Sequence, residues 1–359
     1  MEIDLQTTCP MPDRPRPIVI IGAGGIVRDA HLPAYRLAGF EVAGIFDLDL
    51  TKAQALASDF TIPQVFASMA AAVEGAPADV IYDVAVPGGA VLDVIEALPD
   101  GSAVLIQKPL GRTLTEGRAI RAACQRKDLT AAVNFQLRYA PPFLALRDLL
   151  DSGRLGVIHD IQMQVTILTP WNLWDFLEQE ERVEILYHSI HYLDAVRALV
   201  GDPSGVYSRV VGYADYAQLA DVKSTTILDY GDALRVVVAA NHCHRGGLRH
   251  QESYLRVEGD QGIVHLTLGL CLDYPRGQPD RLEVCFLEDG DEPAWQTVPI
   301  EGTWFPHAFI GTMASVMRAV EDSERGLPTS VHDALRTMAL VEAAYTSSRS
   351  GATPIPYEE

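Results

Sequence analysis

Hydrophobic residues fall along this chain in two rhythms. In the first third they come as short, solid runs: PIVIIG at 17–22, EVAGIFD at 41–47, DVIYDVAVP at 79–87, SAVLIQKP at 102–109 and TAAVNF at 130–135. Runs of this length, rich in β-branched residues and bounded by turn residues, predict strands buried on both faces. The segments VRDAHLPAYRLAG (27–39), GGAVLDVIEALPDG (88–101) and TEGRAIRAACQRKD (115–128) carry helical spacing between them. Strand and helix in alternation predict a doubly wound α/β domain whose parallel sheet is covered on both faces.

From about Leu137 the rhythm changes. After a helical stretch, PPFLALRDLLDSG (141–153), apolar and polar positions alternate with period two in VIHDIQMQVTILT (157–169), GVYSRVVGYAD (205–215), KSTTILDYG (223–231), ALRVVVAANH (233–242), ESYLRVEGD (252–260), GIVHLTLG (262–269) and RLEVCFLED (281–289). Turns rather than helices join most of them, which predicts a large, mostly antiparallel sheet with one face open. Helices are expected at YHSIHYLDAVRALVG (187–201), FIGTMASVMRAVEDS (309–323) and VHDALRTMALVEAAYTSSRSG (331–351). The organisation expected is an N-terminal arm over residues 1–15, a dinucleotide-binding domain over 16–136 and a second α/β domain over 137–359, whose closing helices can pack back on the first.

The length of 359 residues suits two domains of ordinary size. A formal charge of −20 argues against nucleic acid and anionic membrane as partners, since both would repel this surface. No stretch has the length of a membrane span, and the N-terminus MEIDLQTTCPMPDRPRP lacks the apolar core of a signal peptide. Five cysteines without CxxC spacing fit a reducing, cytoplasmic setting, and no ligand pattern for a metal stands out.

PIVIIGAGGIVRDAH reads as strand, glycine turn and helix. Gly22, Gly24 and Val27 occupy the three positions of GxGxxG, and Ala23, Gly25 and Ile26 complete the turn. The first glycine permits the tight turn and the second lets backbone approach a pyrophosphate; the third, absent here, serves helix-to-strand packing. Asp47 ends the next apolar run, 25 residues after Gly22. A carboxylate there accepts hydrogen bonds from ribose hydroxyls and repels a 2′-phosphate, which favours NAD over NADP.

The segment QKPLGRTLTEGRAI at 107–120, taken with AHLPAY, VNFQLRY, SGRLGVI, SIHYLDAVRALVG, RVEGDQGIV and DALRTMALVEAAYTSS in that order, resembles the glucose-fructose oxidoreductase and inositol dehydrogenase family, Gfo/Idh/MocA. The resemblance implies a Rossmann domain followed by an open-sheet domain often used for homo-oligomer packing, here a homodimer or homotetramer. It also implies hydride transfer between NAD(P) and a secondary alcohol of a sugar, polyol or sugar acid. The family's Glu-Lys-Pro motif is Gln107, Lys108 and Pro109, so the lysine is kept and the acid is not. The family places such a lysine between nicotinamide and substrate, where a cation stabilises developing alkoxide. His191 matches the family's proton-relaying histidine, and the aspartate four residues before it is Tyr187 here. Val86, Pro87, Gln107 and Asn134, at strand ends, join the expected cofactor residues. Arg138, Tyr139, Trp171, Trp174, His188 and His307 are the expected substrate residues, the indoles because aromatic rings pack on sugar C–H faces. His242 and His244 could line the same cleft or cap loops. Two other functions stay open at this point: an NAD-retaining lyase or glycosidase that oxidises transiently, and a dinucleotide-bound regulator without turnover.

Overall fold

The structure, a computed structural model, describes residues 5–274, 276–287 and 292–352. Residues 1–4 of the expected arm, the last two residues of the run expected at 281–289, and the C-terminal residues 353–359 lie outside the described residues.

The first sheet is parallel, built from β1 (Ile18–Ile21), β2 (Val42–Phe46), β3 (Ile81–Val84), β4 (Ala103–Ile106) and β5 (Thr130–Val133) in the order β2-β1-β3-β4-β5. All four residues of β1 are fully buried, alternate side chains feeding two separate cores. Burial of each such side chain contributes about 1.5–3 kcal/mol. On the Ile18 and Ile20 side lie α1 (Leu32–Ala38) and α2 (Leu50–Phe60), and on the Val19 and Ile21 side lie α3 (Met69–Glu74), α4 (Val91–Ala97) and α5 (Leu114–Arg126). The sequence pattern did not register α2 and α3, although Asp49 and Ser68 cap their N-termini with side-chain oxygens.

After α6 (Pro141–Asp151) comes β6 (Ile158–Thr166), then α7 (Ile190–Val200), β7 (Gly205–Val211), β8 (Lys223–Asp229), β9 (Arg235–Asn241), β10 (Glu252–Gly259), β11 (Gly262–Thr267), β12 (Arg281–Phe286) and β13 (Gln296–Val298). These strands form one sheet in the order β13-β12-β11-β10-β6-β9-β8-β7, antiparallel except where β6 lies parallel to β9. Ile161, Met163, Val165, Leu255, Val257, Val264 and Leu266 turn inward, whereas Gln162, Gln164, Arg256 and His265 stand half-exposed on the open face. β13, with three residues, is too short to show a period.

The chain closes with α8 (His307–Glu321) and α9 (Val331–Ser350). α8 returns to the first sheet, placing Phe309, Met313, Ala314, Val316 and Met317 in the Ile18 core. The segment ahead of α9 lies along the free edge of β5, where the Val133 N–H donates to the Thr329 carbonyl at 2.8 Å and Ala132 bridges Ser330. Part of the cover of the N-terminal sheet thus comes from the C-terminal end of the chain.

Candidate active site

The strand order reverses between β1 and β3, and ligands of open α/β sheets bind in the crevice outside the carboxyl ends of the strands at such a point. Gly22 leaves β1 with φ +114, and a Cβ there would lie 2.3 Å from the Ala85 carbonyl oxygen after β3. No other residue fits that approach. A Cβ at Gly24 would meet nothing within 4 Å, so the turn is open where an anion would rest. The Gly24 carbonyl accepts the Val27 and Arg28 N–H groups at 3.1 and 3.3 Å, so the following helix starts directly from this turn, and a helix start is where an anion is favoured. Val27 is fully buried, and the helix opens with a π-helical turn, Val27–His31, before α1. Such turns recur at functional sites.

Asp47 holds the turn in place. One carboxylate oxygen accepts the Ala23 N–H at 2.6 Å and the other the Asp49 N–H at 2.7 Å. Val86 lies beside Gly22, whereas Pro87 is exposed. The glycine cradle, the open helix start and the acid at the end of β2 fit a dinucleotide.

Lys108 follows β4. Its Nζ donates to the Tyr187 carbonyl at 3.0 Å and lies 5.9 Å from the Tyr187 ring, and burial pushes its pKa down to about 8. Tyr187 belongs to a second π-helical turn, Ile185–Ser189, which runs into α7. Burial pushes the Tyr187 phenol up, and its buried hydroxyl has no partner among the described residues.

The rings of His188 and His191 have different neighbours. His188 sits among Trp171, Trp174 and His242, at ring distances of 4.9, 6.1 and 4.5 Å. His191 meets Trp304 edge-on at 5.9 Å. Both imidazoles are pushed well below the usual histidine range, first by burial; Lys108 adds to this for His191, and His242, Lys108 and His191 add to it for His188. Lys108 therefore lies within electrostatic reach of both. The buried Nδ1 of each ring and the indole nitrogens of Trp171 and Trp304 lack hydrogen-bond partners among the described residues. Five unpartnered polar groups, counting Tyr187, around one cation can serve a polyhydroxylated ligand.

Other expected residues are employed elsewhere. Arg138 donates to both carboxylate oxygens of Asp194 at 2.6 Å, to Asp333 at 2.6 Å and to the Pro328 carbonyl at 3.1 Å, leaving no face for a ligand. The Tyr139 ring packs against Gly311 of α8. His307 accepts the Thr303 N–H at 3.1 Å through Nδ1 and caps its loop. His244 bonds the Arg249 carbonyl on the surface at 2.9 Å.

Several polar residues at the site carried no signal that the pattern reading used. Glu184, fully buried, accepts the Ser189 hydroxyl at 2.5 Å and lies 3.3 Å from His242 Nε2. Its own N–H donates to Asp221 at 2.6 Å, and burial pushes that carboxyl up to about 6. Beneath the cofactor crevice, His31, Asp83, Tyr35, Gln107, Asn134 and Thr312 form a buried polar cluster.

Comparison with known proteins gives a consistent picture. Residues 16–135 match the GFO/IDH/MocA oxidoreductase family, NAD-binding Rossmann fold, and residues 143–265 match the GFO/IDH/MocA C-terminal domain. A D-apiose dehydrogenase of Paraburkholderia graminis is 28% identical over 351 residues, covering 93% of this chain and 88% of that protein. A D-xylose 1-dehydrogenase (NADP(+)) of Haloferax volcanii is 23% identical, covering 93% and 97%. An oxidoreductase from Agrobacterium radiobacter, crystallised with NAD+, L-tartaric acid and magnesium, superposes with a TM-score of 0.79 at 21% identity, over 94% of this chain and 98% of that one.

Proposed function

The chain belongs to the GFO/IDH/MocA oxidoreductase family, and from that membership we propose an NAD-dependent dehydrogenase that oxidises a CH–OH group of a small sugar or polyol. The observation that carries this is the half-buried Lys108 ammonium within electrostatic reach of His191, set after β4 on the same carboxyl side of the sheet as the glycine turn. NAD would be held by the turn at Gly22–Val27, by Asp47 and by the strand-end residues Val86 and Gln107, and when bound it supplies the hydride acceptor; Asn134, expected at the cofactor, is wholly buried and bonded to His31 and Thr312 beneath it.

Lys108, charged at neutral pH, binds the substrate oxygen and stabilises the negative charge that grows on it. His191 stays neutral because burial disfavours its cation, so it can accept the hydroxyl proton. Trp171, Trp174 and Trp304 wall the pocket against bulk water, and Tyr187 and His188 offer hydrogen bonds to further hydroxyls. Arg138, Tyr139 and His307 have structural partners and are left out of this assignment.

The names of the relatives put aldopentoses first: D-apiose and D-xylose, then inositols, assayed for NAD reduction with NADP in parallel. No reduction of either cofactor with any of these would end the proposal. Asp47 supports NAD, and D47A is expected to narrow the preference. We further propose that copies associate through the open face of the second sheet, where Tyr207, Val211 and Ile227 leave 66%, 41% and 44% of their surface exposed; sedimentation of the native protein checks this. All five cysteines are free thiols, which supports a reducing, cytoplasmic setting. Among the described residues no helix is long and apolar enough to cross a membrane.

A further inference from the structure

Asp83 interrupts a row of buried aliphatic residues. It pairs in register with Ile20 on one side and Leu105 on the other, is wholly inaccessible, and one of its carboxylate oxygens has no partner among the described residues. An acid in such a position is costly unless it is hydrogen-bonded. Its other oxygen accepts the Tyr35 hydroxyl at 2.8 Å and faces His31 Nδ1 at 2.7 Å.

The network fixes its own protons. The backbone N–H of Lys108 can only donate, and it meets Gln107 Oε1 at 2.7 Å. The amide of Gln107 must therefore turn its nitrogen to His31 Nε2, 3.0 Å away. That ring nitrogen must be an acceptor, so the imidazole is neutral with its proton on Nδ1, donated to Asp83. Asn134 follows the ring, its nitrogen 3.4 Å from His31 Nε2 and its oxygen accepting the Thr312 hydroxyl at 2.8 Å, a group that can also accept. Phe309 of α8 packs on the ring at 4.9 Å and closes the site.

We propose that Asp83 and His31 are positioning residues for the cofactor crevice: Asp83 selects the His31 tautomer, and the tautomer decides which way the amides of Gln107 and Asn134 face. This rests on the cofactor assignment made above for Gln107. With the proton moved to Nε2, both NH2 groups would meet a donor, both amides would turn over and the bond to the Lys108 N–H would break, while the Thr312 hydroxyl, which also reaches the Phe309 carbonyl, could accept from the turned Asn134 amide. Lys108 is the residue whose placement then suffers.

D83N tests this with little change of shape, because the new amide donates to Nδ1 and drives the proton to Nε2. The inference expects a His31 tautomer shift in the nitrogen-15 spectrum, weaker NADH binding by fluorescence, and a fall in kcat/KM of roughly 10–100-fold, the range for losing an orienting partner behind a site. The double variant D83N/Q107E places a carboxylate on the other side of the ring, where it accepts the Nε2 proton and the Lys108 N–H together. It should recover most of the lost NADH affinity while the tautomer stays shifted. A tautomer unmoved in D83N, a moved tautomer with unchanged NADH affinity, or a double variant no better than the single one each overturns the inference. Should D83N not fold, the native protein decides: its His31 ring must carry the proton on Nδ1, and a native ring protonated on Nε2 overturns the inference. A native enzyme that binds no NADH would instead sink the functional proposal, while the tautomer measurements stand apart from it.

Discussion

At the scale of single residues, function and stability pull Lys108 in opposite directions. Its folded pKa of about 8 lies below the usual lysine value of 10.5, so folding disfavours the charged form. The resulting penalty is complete below about pH 8, shrinks as pH rises from 8 toward 10.5, and is gone above that. K108M is therefore expected to lose turnover by about 10²–10³-fold or more, the cost of removing one stabilising donor, while melting at a higher temperature than the native enzyme at pH 7. That gain should disappear near pH 10.5, which calorimetry across the pH range would show. For the native enzyme, oxidation should weaken as pH rises through about 8, where the cation is lost; a rate that climbs through the same interval would make Lys108 the base. His188 and His191 work the other way round. Unfolded, they bind protons below about pH 6.5, whereas the folded rings resist them. Stability should fall as pH drops below that value, and the acid limb of oxidation should lie well under it. H191N is expected to lower turnover by roughly 10²–10⁴-fold; a folded variant with native turnover would pass the proton to Tyr187 or His188.

At the scale of elements, the strands and most helices were legible because period two and solid apolar runs are properties of the chain itself. The two π-helical turns were not. Their wider spacing leaves the residue types unchanged, so nothing in the run of apolar and polar positions marks the turns that carry His31 and His188. Trp304 stood in plain sight in GTWFPHAF, yet only the fold brings it to His191. The acid inside DVIYDVAVP was a local signal, since a charge within a solid apolar strand needs a partner. Arg138 shows the converse. An arginine beside a site motif suggests ligand binding, but here it neutralises Asp194 and Asp333 between α7 and α9, with Arg197 alongside. R138M should cost about 3–5 kcal/mol of stability by leaving buried acids unpaired. Urea denaturation measures it; a KM defect without loss of stability would restore Arg138 to the substrate.

At the scale of the whole molecule, the boundary expected near residue 136 divides the sequence more cleanly than it divides the core. Phe309, Met313 and Met317 complete the packing on the Ile18 face, and Thr329 occupies the edge of β5. A fragment ending at residue 136 would expose both. It is expected to bind a hydrophobic dye and to lack near-ultraviolet dichroism, whereas a rigid fragment with native-like dichroism would show the first half to be self-sufficient. The net charge of −20 suits an enzyme whose one concentrated need for positive charge is met locally by Lys108 and backbone N–H groups.

The return of α8 to the N-terminal sheet also sets an order of events during biosynthesis. The glycine turn leaves the ribosome 295 residues ahead of Met317, and the core that holds it cannot close until Met317 has emerged. At ordinary elongation rates that interval is on the order of ten seconds or more. Through it the nascent half-sheet carries an uncovered apolar face, which makes it a client for chaperones rather than an early folding unit.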